Sequence, residues 1–328
     1  MQENLIQLFE KMNHLRVLVI GDVMADAYIK GKVDRISPEA PVPIINTHSR
    51  EVRLGGAANV ALNLKALGAQ VVLCALVGND AQGKELIQLI EKEGINSMGI
   101  VVSTDRPSTI KTRVMSGGQH LLRIDDENDA PATPLEQELL LKMAMELVQN
   151  VDAIIFEDYD KGVIFKELID EVTTFANERE IPVTVDPKKR NFHAYKNVSL
   201  FKPNLKELKE GLKFELNPKI KEDVESGCKK LIDDLEVKGV LLTLSESGMA
   251  ILSGSSFFMV PALPRDIADV SGAGDTVISV ATLCLAAGCE LEQTLFLANL
   301  AGGLVCEYSG VVPIKKGQLL KEAIKYLA

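Results

Sequence analysis

The chain has 328 residues, a formal net charge of −10 at pH 7 and five scattered cysteines, a composition that allows one large α/β domain with a smaller excursion. The acidic balance argues against a nucleic-acid partner, because the longest basic run, 188–190, is too short for a surface that exploits counterion release. The odd number of cysteines and their lack of metal-ligand spacing predict reduced thiols in a cytoplasmic protein.

The first fifteen residues predict a short amphipathic helix. They do not resemble a signal peptide, because they lack a cationic start and a continuous apolar core. No apolar run approaches the roughly 20 residues that a membrane span needs. We therefore expect no membrane partner.

From residue 16 onward, apolar β-branched runs alternate with segments of helical period. The predicted strands are 16–22, 70–78, 151–158, 181–187, 199–204 and 239–245. The predicted helices are 57–67, 81–94, 134–150, 165–179, 222–237, 274–288 and 291–308. Alternation of this kind predicts a mostly parallel sheet that helices cover on both faces.

Two segments interrupt the alternation. Residues 28–54 carry paired turn signals and no helical period, and residues 108–125 contain two extended runs around Gly117-Gly118, which indicates a hairpin. Either segment could be a loop. We favour a small β-excursion that leaves the main sheet and covers one edge of it as a lid.

Polar residues follow the predicted strands at their carboxyl ends, where parallel α/β sheets bind ligands. The strand ends carry Asp22, Asp158, Asp186, Asn204, Glu207 and Ser245. Any one of these residues could simply cap the next helix. As a set they share one rim of the sheet with Lys161 and Lys188, which favours a binding site.

Residues 78–85, GNDAQGKE, are one residue short of a phosphate-binding P-loop. Glu85 stands where that loop needs a Ser or Thr hydroxyl to hold Mg²⁺. We interpret the segment as a tight strand-to-helix turn in which Gly78 and Gly83 ease the backbone.

Residues 269–276, DVSGAGDT, predict a better anion site. Three small residues precede a long apolar helix, and a helix N-terminus favours negative charge. Asp275 in the first turn is either an ordinary N-terminal acid or a group that handles a proton. No third glycine follows at dinucleotide-binding spacing, so an NAD-dependent oxidoreductase is poorly supported.

These segments resemble the signatures of the ribokinase-like, or phosphofructokinase B, carbohydrate kinases. DVSGAGDT is similar to the C-terminal signature, LGGAANVALNLKALG (54–68) to the N-terminal signature, and PNLKE (203–207) to the Asn-x-x-Glu element. VGNDAQG (77–83) resembles a structural turn of the same family. The resemblance implies a three-layer α/β sandwich with a central, mostly parallel sheet and a small β-lid, formed by one kinase domain over residues 1–328.

The resemblance also implies roles for individual residues in the transfer of a phosphoryl group from ATP to a sugar. Asp275 would accept or orient the proton of the attacking hydroxyl, and backbone N–H groups of Gly272, Ala273 and Gly274 would stabilise the phosphoryl group. The implied ATP-binding residues are Asn204, Lys206, Glu207, Thr243, Ser245, Gly248 and Asn299. Asn204 and Glu207 would hold Mg²⁺ through water, and Asp269 and Ser271 would bind a monovalent cation such as K⁺.

The implied substrate site combines hydroxyl-binding and phosphate-binding residues. The residues expected to contact sugar hydroxyls are Asp22, Gly55, Gly56 and Asn59. The expected contacts of a sugar phosphate are Arg113, Lys161, Lys188 and Lys189, with Asp186 on the same rim. Residues 188–190 could equally be a solvated basic turn.

A narrower resemblance concerns GDVMADAYIKG (21–31), DRISPEAPVPI (34–44), DYDKG (158–162) and DPKK (186–189). These stretches are similar to family members that phosphorylate C1 of D-glycero-D-manno-heptose 7-phosphate on the route to lipopolysaccharide. Many such kinases are the N-terminal half of a bifunctional protein, and this chain resembles the stand-alone form without a nucleotidyltransferase domain. A homodimer through the lid is also implied.

Two other functions remain open at this point. The chain could be a kinase of the same family for another sugar, sugar phosphate or nucleoside. It could also be a non-catalytic sugar-binding regulator of the same fold, although such a protein has no chemical need for Asp275.

Overall fold

The structure, a computed structural model, describes residues 2–327 and contains two β-sheets. In chain order the strands are β1 (Arg16–Gly21), β2 (Val23–Ile36), β3 (Pro43–Gly56), β4 (Gln70–Gly78), β5 (Asn96–Ser103), β6 (Ile110–Ser116), β7 (Gln119–Asp126), β8 (Ala153–Glu157), β9 (Val183–Asp186), β10 (Leu200–Phe201), β11 (Gly239–Thr243), β12 (Met249–Ser253) and β13 (Ser256–Val260). The helices are α1 (Gln2–Met12), α2 (Ala57–Ala66), α3 (Ala81–Lys92), α4 (Pro134–Leu147), α5 (Lys166–Glu178), α6 (Leu205–Leu212), α7 (Lys221–Leu235), α8 (Ala273–Ala286), α9 (Leu291–Val305) and α10 (Lys316–Leu327).

The main sheet has nine strands in the order β13-β12-β11-β10-β9-β8-β1-β4-β5. Pairing is parallel from β11 to β5, and β12 and β13 add an antiparallel edge. Successive side chains of β1 enter different cores, with Val17 and Val19 in one cluster and Leu18 and Ile20 in the other. This alternation follows from the two-residue period of a strand, and it confirms the prediction of a sheet buried on both faces.

Helix α1 is amphipathic, as the sequence predicts. Leu5, Leu8, Phe9 and Met12 lie on one face at helical spacing and are buried in the first core cluster. Within the described range 2–327, no helix combines the length and apolar character that crossing a bilayer would require.

The second sheet has four strands in the order β3-β2-β6-β7 and incorporates the two segments that interrupt the predicted alternation. The chain leaves the main sheet after β1, and β2, which begins directly after Asp22, pairs antiparallel with β3 and parallel with β6. Gly117 and Gly118 both have positive φ, 58° and 82°, as a two-residue hairpin turn between β6 and β7 requires. The predicted hairpin is therefore confirmed.

Several boundaries differ from the predictions. Of the predicted strand 199–204, only Leu200–Phe201 pairs as a strand, and the helix predicted over 291–308 ends at Val305. Strands β5, β12 and β13 and helices α6 and α10 were not predicted from the sequence. All five cysteines are free, and four of them are buried.

Candidate active site

Three carboxylates meet at the carboxyl end of the main sheet. Glu157 ends β8, Asp186 ends β9 and Asp275 lies in the first turn of α8, and one carboxylate oxygen from each lies within 4.8 Å of those of the other two. Strands β8 and β9 pair with Glu157 opposite Asp186, which places these two side chains next to each other. All three are buried. We call this group the carboxylate cluster.

Asp275 is held from two sides. Asn59 of α2 donates from Nδ2 to Oδ2 at 2.6 Å, and the Tyr159 hydroxyl donates to Oδ1 at 2.9 Å. Burial raises the pKa of Asp275, as does the charge of Asp186, while the two hydrogen bonds and Lys202 oppose that rise. A buried, oriented carboxylate with a raised pKa is suited to accept a proton from a substrate.

Glu157 is the least satisfied member of the cluster. Both of its carboxylate oxygens are buried and have no hydrogen-bond partner within residues 2–327. Burial raises its pKa well above the ordinary value, and the charges of Asp186 and Asp275 raise it further. A buried carboxylate without a partner is costly, so this position favours a bound cation or a proton.

The cluster fits a hard divalent cation. Carboxylate oxygens are the protein ligands that Mg²⁺ uses most often, and the unpartnered oxygens of Glu157 are directed into the group. The chemistry of this donor set agrees with Mg²⁺ better than with a soft metal, because no cysteine or histidine belongs to it.

Two lysines approach Asp186 from different sides. Lys202 lies 2.7 Å from Oδ2 with 4% of its side chain exposed. Lys188 lies 3.7 Å from Oδ1 and also contacts Glu207 Oε1 at 2.8 Å. Glu157, Tyr159 and Lys202 were not among the residues predicted from the sequence.

The predicted anion pocket, formed by Gly272, Ala273 and Gly274, opens onto the same cluster. Gly272 precedes α8 with a φ of 79°, and no side chain caps the helix there. The first N–H groups of a helix lack intrahelical partners and can therefore bind an anion. A Cβ at Gly274 would lie 3.5 Å from Lys202 Nζ, so the pocket and this ammonium group are neighbours.

Asp269 closes the loop that leads into the anion pocket. Its Oδ1 accepts hydrogen bonds from the Ser271 N–H at 2.9 Å and the Ser271 hydroxyl at 2.8 Å, and its Oδ2 accepts from the Gly310 N–H at 2.9 Å. Although partial burial opposes the effect, these bonds hold the pKa of Asp269 below its ordinary value. A monovalent cation at Asp269 and Ser271 stays a prediction.

Asp22 organises the loop after β8. Its carboxylate accepts backbone hydrogen bonds from Tyr159 at 2.8 Å, Lys161 at 3.1 Å and Val163 at 3.1 Å. Burial, followed by the charge of Asp158, raises the pKa of Asp22 to about 6. The carboxylate therefore helps to position Tyr159 against the cluster, and its expected contact with a sugar stays a prediction.

Gly55 and Gly56 end β3 beside Asp22 and Asp26. A Cβ at Gly55 would lie 2.3 Å from Asp26 Oδ2, and one at Gly56 would lie 2.3 Å from the Asp22 carbonyl oxygen. Gly56 needs glycine because its φ is 58° and a Cβ would meet the backbone, whereas a Cβ at Gly55 would require the Asp26 side chain to move. Gly56 also precedes α2, which carries Asn59.

The cations expected to bind a sugar phosphate mostly have acidic partners. Arg113 on β6 forms a buried ion pair with Asp26 on β2. Lys161 contacts Glu127 at 2.8 Å. Lys189 is exposed. The structure thus brings Lys188 next to the carboxylate cluster, while Lys161 and Arg113 belong to separate ion pairs.

The residues expected to bind ATP flank the cluster on the other side. Asn204 and Glu207 form a reciprocal capping box at the start of α6, with hydrogen bonds of 2.9 and 2.8 Å. The backbone of Asn204 bridges to Thr243 at the end of β11. Glu207 therefore reaches Asp186 only through Lys188, and direct binding of Mg²⁺ by Asn204 would compete with the cap.

The remaining expected ATP contacts lie in turns and on helices. Ser245 and Gly248 have positive φ, 52° and 95°, in the turn after β11. Asn299 on α9 donates to the Pro261 carbonyl at 2.9 Å, and Lys206 is exposed on α6. Nucleotide binding by these four residues stays a prediction.

Comparison with known proteins identifies the family of this chain. The sequence profile described as pfkB family carbohydrate kinase matches residues 14–316. The Bifunctional protein HldE of Helicobacter pylori is 37% identical over 290 residues, which cover 88% of this chain and 62% of that protein. The protein of the same name from Rhodospirillum rubrum is 36% identical over 317 residues, covering 96% and 64%. The chain therefore spans about three fifths of the length of these relatives.

Solved structures show the same fold at low sequence identity. Phosphofructokinase-2 from Escherichia coli in complex with potassium superposes with a TM-score of 0.79 at 21% identity, covering 95% of this chain and 99% of that one. Arabidopsis thaliana ribokinase complexed with ribose and ATP gives 0.72 at 20% identity, covering 94% and 99%. The predicted fold class, a ribokinase-like α/β sandwich, is confirmed.

Proposed function

The chain belongs to the pfkB family of carbohydrate kinases, and we propose that it transfers the γ-phosphoryl group of ATP to the C1 hydroxyl of D-glycero-D-manno-heptose 7-phosphate. The product would be the 1,7-bisphosphate. The observation that carries this proposal is the uncapped N-terminus of α8 with buried Asp275 at its entrance. The relatives named HldE support a heptose kinase module, as do the stretches around residues 21–44 and 158–162.

The proposed chemistry assigns one task to each part of the site. Asp275 takes or orients the proton of the C1 hydroxyl, whose oxygen attacks the γ-phosphorus while the bond to the β-phosphate oxygen breaks. The N–H groups of Gly272, Ala273 and Gly274 stabilise charge on the moving phosphoryl group. Phosphoryl transfer depends mostly on positioning and charge stabilisation, so these contacts account for most of the expected rate enhancement.

Magnesium would neutralise charge on the ATP phosphates when it is bound. Glu157 and Asp186 offer oxygen ligands for it, and Glu207 is linked to Asp186 through Lys188 and can act through water. Thr243, Ser245, Gly248 and Asn299 complete the proposed ATP site. We assign a monovalent cation, K⁺, to Asp269 and Ser271, where it would stabilise the loop before α8.

Two arginines are the strongest candidates for the phosphate of the sugar. The Arg53 and Arg113 guanidinium groups lie 5.1 and 5.5 Å from the ring centre of Tyr28, so one aromatic ring holds two cations together. Each cation also has an acidic partner, since Arg113 pairs with Asp26 and Arg53 with Glu51 at 3.2 Å, while Glu127 contacts both Lys161 and Lys111 at 2.8 Å. Guanidinium groups also match phosphate oxygens in a bidentate manner.

Turnover with a panel of acceptors tests the proposal. ATP consumption would be measured with Mg²⁺ and K⁺ on D-glycero-D-manno-heptose 7-phosphate, fructose 6-phosphate, ribose and adenosine. We expect turnover on the heptose phosphate alone. Turnover on another acceptor would retain the kinase and contradict the heptose assignment. No turnover on any acceptor, with ATP still raising the melting temperature, would favour the sugar-binding regulator.

We further propose a homodimer through the second sheet, acting in the cytoplasm where ATP is available. Strand β7 is exposed along its whole length and carries Leu121, Leu122 and Ile124 with 43, 56 and 44% of their surface accessible. Apolar residues grouped on an exposed edge strand are typical of an interface. Light scattering should give twice the mass of one chain, and Leu122→Lys should shift the population toward the monomer.

A further inference from the structure

Lys202 occupies an unusual position for a lysine. It follows β10 directly, and its backbone N–H donates to the Val185 carbonyl of β9 at 2.8 Å. Its Nζ lies 3.5 Å from the Cβ position of Gly274 in the first turn of α8. Among residues 2–327 it is the only lysine or arginine that is buried, with 3% of its surface exposed. Burying an ammonium group costs several kcal/mol unless partners compensate, so its position needs an explanation.

Asp186 is the nearest partner of the buried ammonium, and the charge of Lys202 also opposes the rise in the pKa of Glu157 and of Asp275, so the carboxylate cluster offsets that charge. Asp186 also has Lys188 on its outer side, whereas Lys202 approaches from the side of the anion pocket, with Nζ 3.5 Å from the Cβ position of Gly274. A helix N-terminus carries partial positive charge and therefore disfavours a cation beside it. Asp186 Oδ2 lies 3.6 Å from the same Cβ position, so the ammonium group and one carboxylate oxygen both border the start of α8, and the ammonium is placed to contact an anion bound there.

The chemistry of the ammonium group agrees with such an anion. A lysine offers three N–H donors, of which Asp186 accounts for one. Charge-assisted hydrogen bonds to phosphate oxygens are among the stronger polar interactions in proteins. A lysine in this place can therefore hold Asp186 and a phosphate oxygen at the same time.

We propose that Lys202 is a catalytic residue whose ammonium group contacts the γ-phosphoryl group of ATP, an inference that rests on the proposed kinase function. During transfer the sugar oxygen forms a bond to the γ-phosphorus, and the bond to the β-phosphate oxygen breaks. The hydroxyl proton goes to Asp275, and ADP leaves with the electron pair of the broken bond. Lys202 stays protonated throughout and stabilises the charge on the oxygens of the moving group.

The test compares Lys202→Met with wild type in nucleotide binding and in turnover. Losing a charge-assisted contact to the γ-phosphate should weaken binding of the β,γ-imido analogue of ATP roughly ten- to hundredfold and leave ADP binding nearly unchanged. With the acceptor that the wild type uses, kcat should fall about 10²–10³-fold, as when an oxyanion donor is lost. Lys229→Met, which removes an exposed lysine paired with Glu225, is the matched control and should change neither quantity.

The variants Lys202→Gln and Lys202→Arg distinguish a loss of γ-phosphate binding from a defect in folding. Glutamine keeps a donor for Asp186 without the charge, so it should fold and still lose the preference for the imido analogue over ADP. Arginine keeps the charge and should restore part of that preference. Equal binding losses for the imido analogue and ADP in Lys202→Gln, or no loss for either, would overturn the proposal and leave Lys202 as a structural partner of Asp186.

The two proposals fail in different ways. If the wild type turns over none of the acceptors, the kinase function fails, while the ratio of imido-analogue to ADP affinity still tests Lys202. If the wild type is active and Lys202→Gln retains both its kcat and its nucleotide preference, the kinase function stands and the role of Lys202 is wrong.

Discussion

Helices α3 and α8 both follow glycine-containing turns, but a side chain caps only the first turn of α3. Helix α3 begins after residues 78–80, in the segment that resembles a P-loop, and α8 begins after residues 269–272. The turn before α3 directly follows the carboxyl end of β4, and the turn before α8 lies beside the carboxyl ends of β8 and β9. They differ in what occupies the free N–H groups of the helix, and that difference decides which turn belongs to the active site.

At α3 the chain fills its own N-terminus. The Asp80 carboxylate accepts from the Gly83 N–H at 2.6 Å and from the Ser108 N–H and hydroxyl at 2.8 Å each. A Cβ at Gly83 would lie 2.1 Å from the Gly78 carbonyl oxygen, so the turn is closed by backbone contact as well. A carboxylate of the protein already stands where a phosphate would bind.

At α8 no side chain fills the corresponding place, and the Ala273 N–H donates to the Val270 carbonyl at 3.3 Å. Gly272 provides no capping side chain, and the groups around the opening are Lys202 and the carboxylate cluster instead of a closing loop. A glycine-rich string before a helix is therefore weak evidence for an anion site. At these two turns the difference is whether a side chain of the chain itself satisfies the first turn.

The largest expected effect comes from exchanging the acid at each N-terminus for its amide. Asp275→Asn should lower kcat about 10²–10⁴-fold, because an amide cannot accept the proton of the sugar hydroxyl. Asp80→Asn should leave kcat unchanged, because Asp80 only caps α3. Steady-state kinetics on the two variants checks this, with ATP-induced stabilisation showing that Asp275→Asn still folds and binds. Equal losses of kcat in both variants would contradict the assignment.

Adding one methyl group to each turn should separate activity from stability. Gly272→Ala places a Cβ 2.9 Å from Asn59 Nδ2, which holds Asp275, and requires a non-glycine residue at a φ of 79°, so we expect kcat to fall about 10²-fold. Gly83→Ala meets the Gly78 carbonyl and should cost about 1–3 kcal/mol of stability, with normal kcat for the folded protein. Urea unfolding measures the stability of both variants, and steady-state kinetics measures their kcat. A Gly83→Ala variant that is inactive but fully stable would contradict the assignment of the active site to α8.

The fold was largely predictable because its central strands are long apolar runs bounded by turns. The hairpin of β12 and β13 was not predicted because each strand has only five residues, although Gly254, with a φ of 56°, and Ser255 form a two-residue turn that is typical of hairpins. Strand β10 pairs over two residues, which no periodicity can reveal. Short elements such as these are fixed by their neighbours in the sheet and not by local pattern.

The site was predictable as a region but not residue by residue. Glu157 and Asp158 are adjacent, and neighbouring side chains of a strand point to opposite faces. Glu157 joins the carboxylate cluster, whereas Asp158 accepts from the Tyr195 hydroxyl at 2.8 Å and from Asn191 at 2.9 Å. The sequence does not show which acid faces the site, because that depends on the pairing of β8 with β9. Lys202 was missed for the same reason.

Removing the cap of α3 should have a smaller effect, confined to stability. Asp80→Ala loses the hydrogen bonds to Gly83 and Ser108, and the loss of a capping side chain typically costs about 0.5–2 kcal/mol. Urea denaturation at pH 7 measures the change in the free energy of unfolding, and kcat and the KM for ATP should stay at wild-type values. An increase in the KM for ATP would show that nucleotide binding involves this turn after all.

The smallest expected effect is a displacement of the pH profile by Tyr159→Phe, and it tests whether the environment of Asp275 sets its proton affinity. Burial and then Asp186 raise the pKa of Asp275, while hydrogen bonds from Asn59 and Tyr159 lower it. Because the base works only when it is ionised, kcat/KM falls as the pH drops through this pKa. Removing the Tyr159 hydroxyl removes a lowering contribution, so the acidic limb should move to higher pH while the rate on the alkaline plateau changes little. Tyr195→Phe removes a hydroxyl bonded to Asp158 and should leave the limb in place, and a limb that moves in neither variant would mean that another group titrates there.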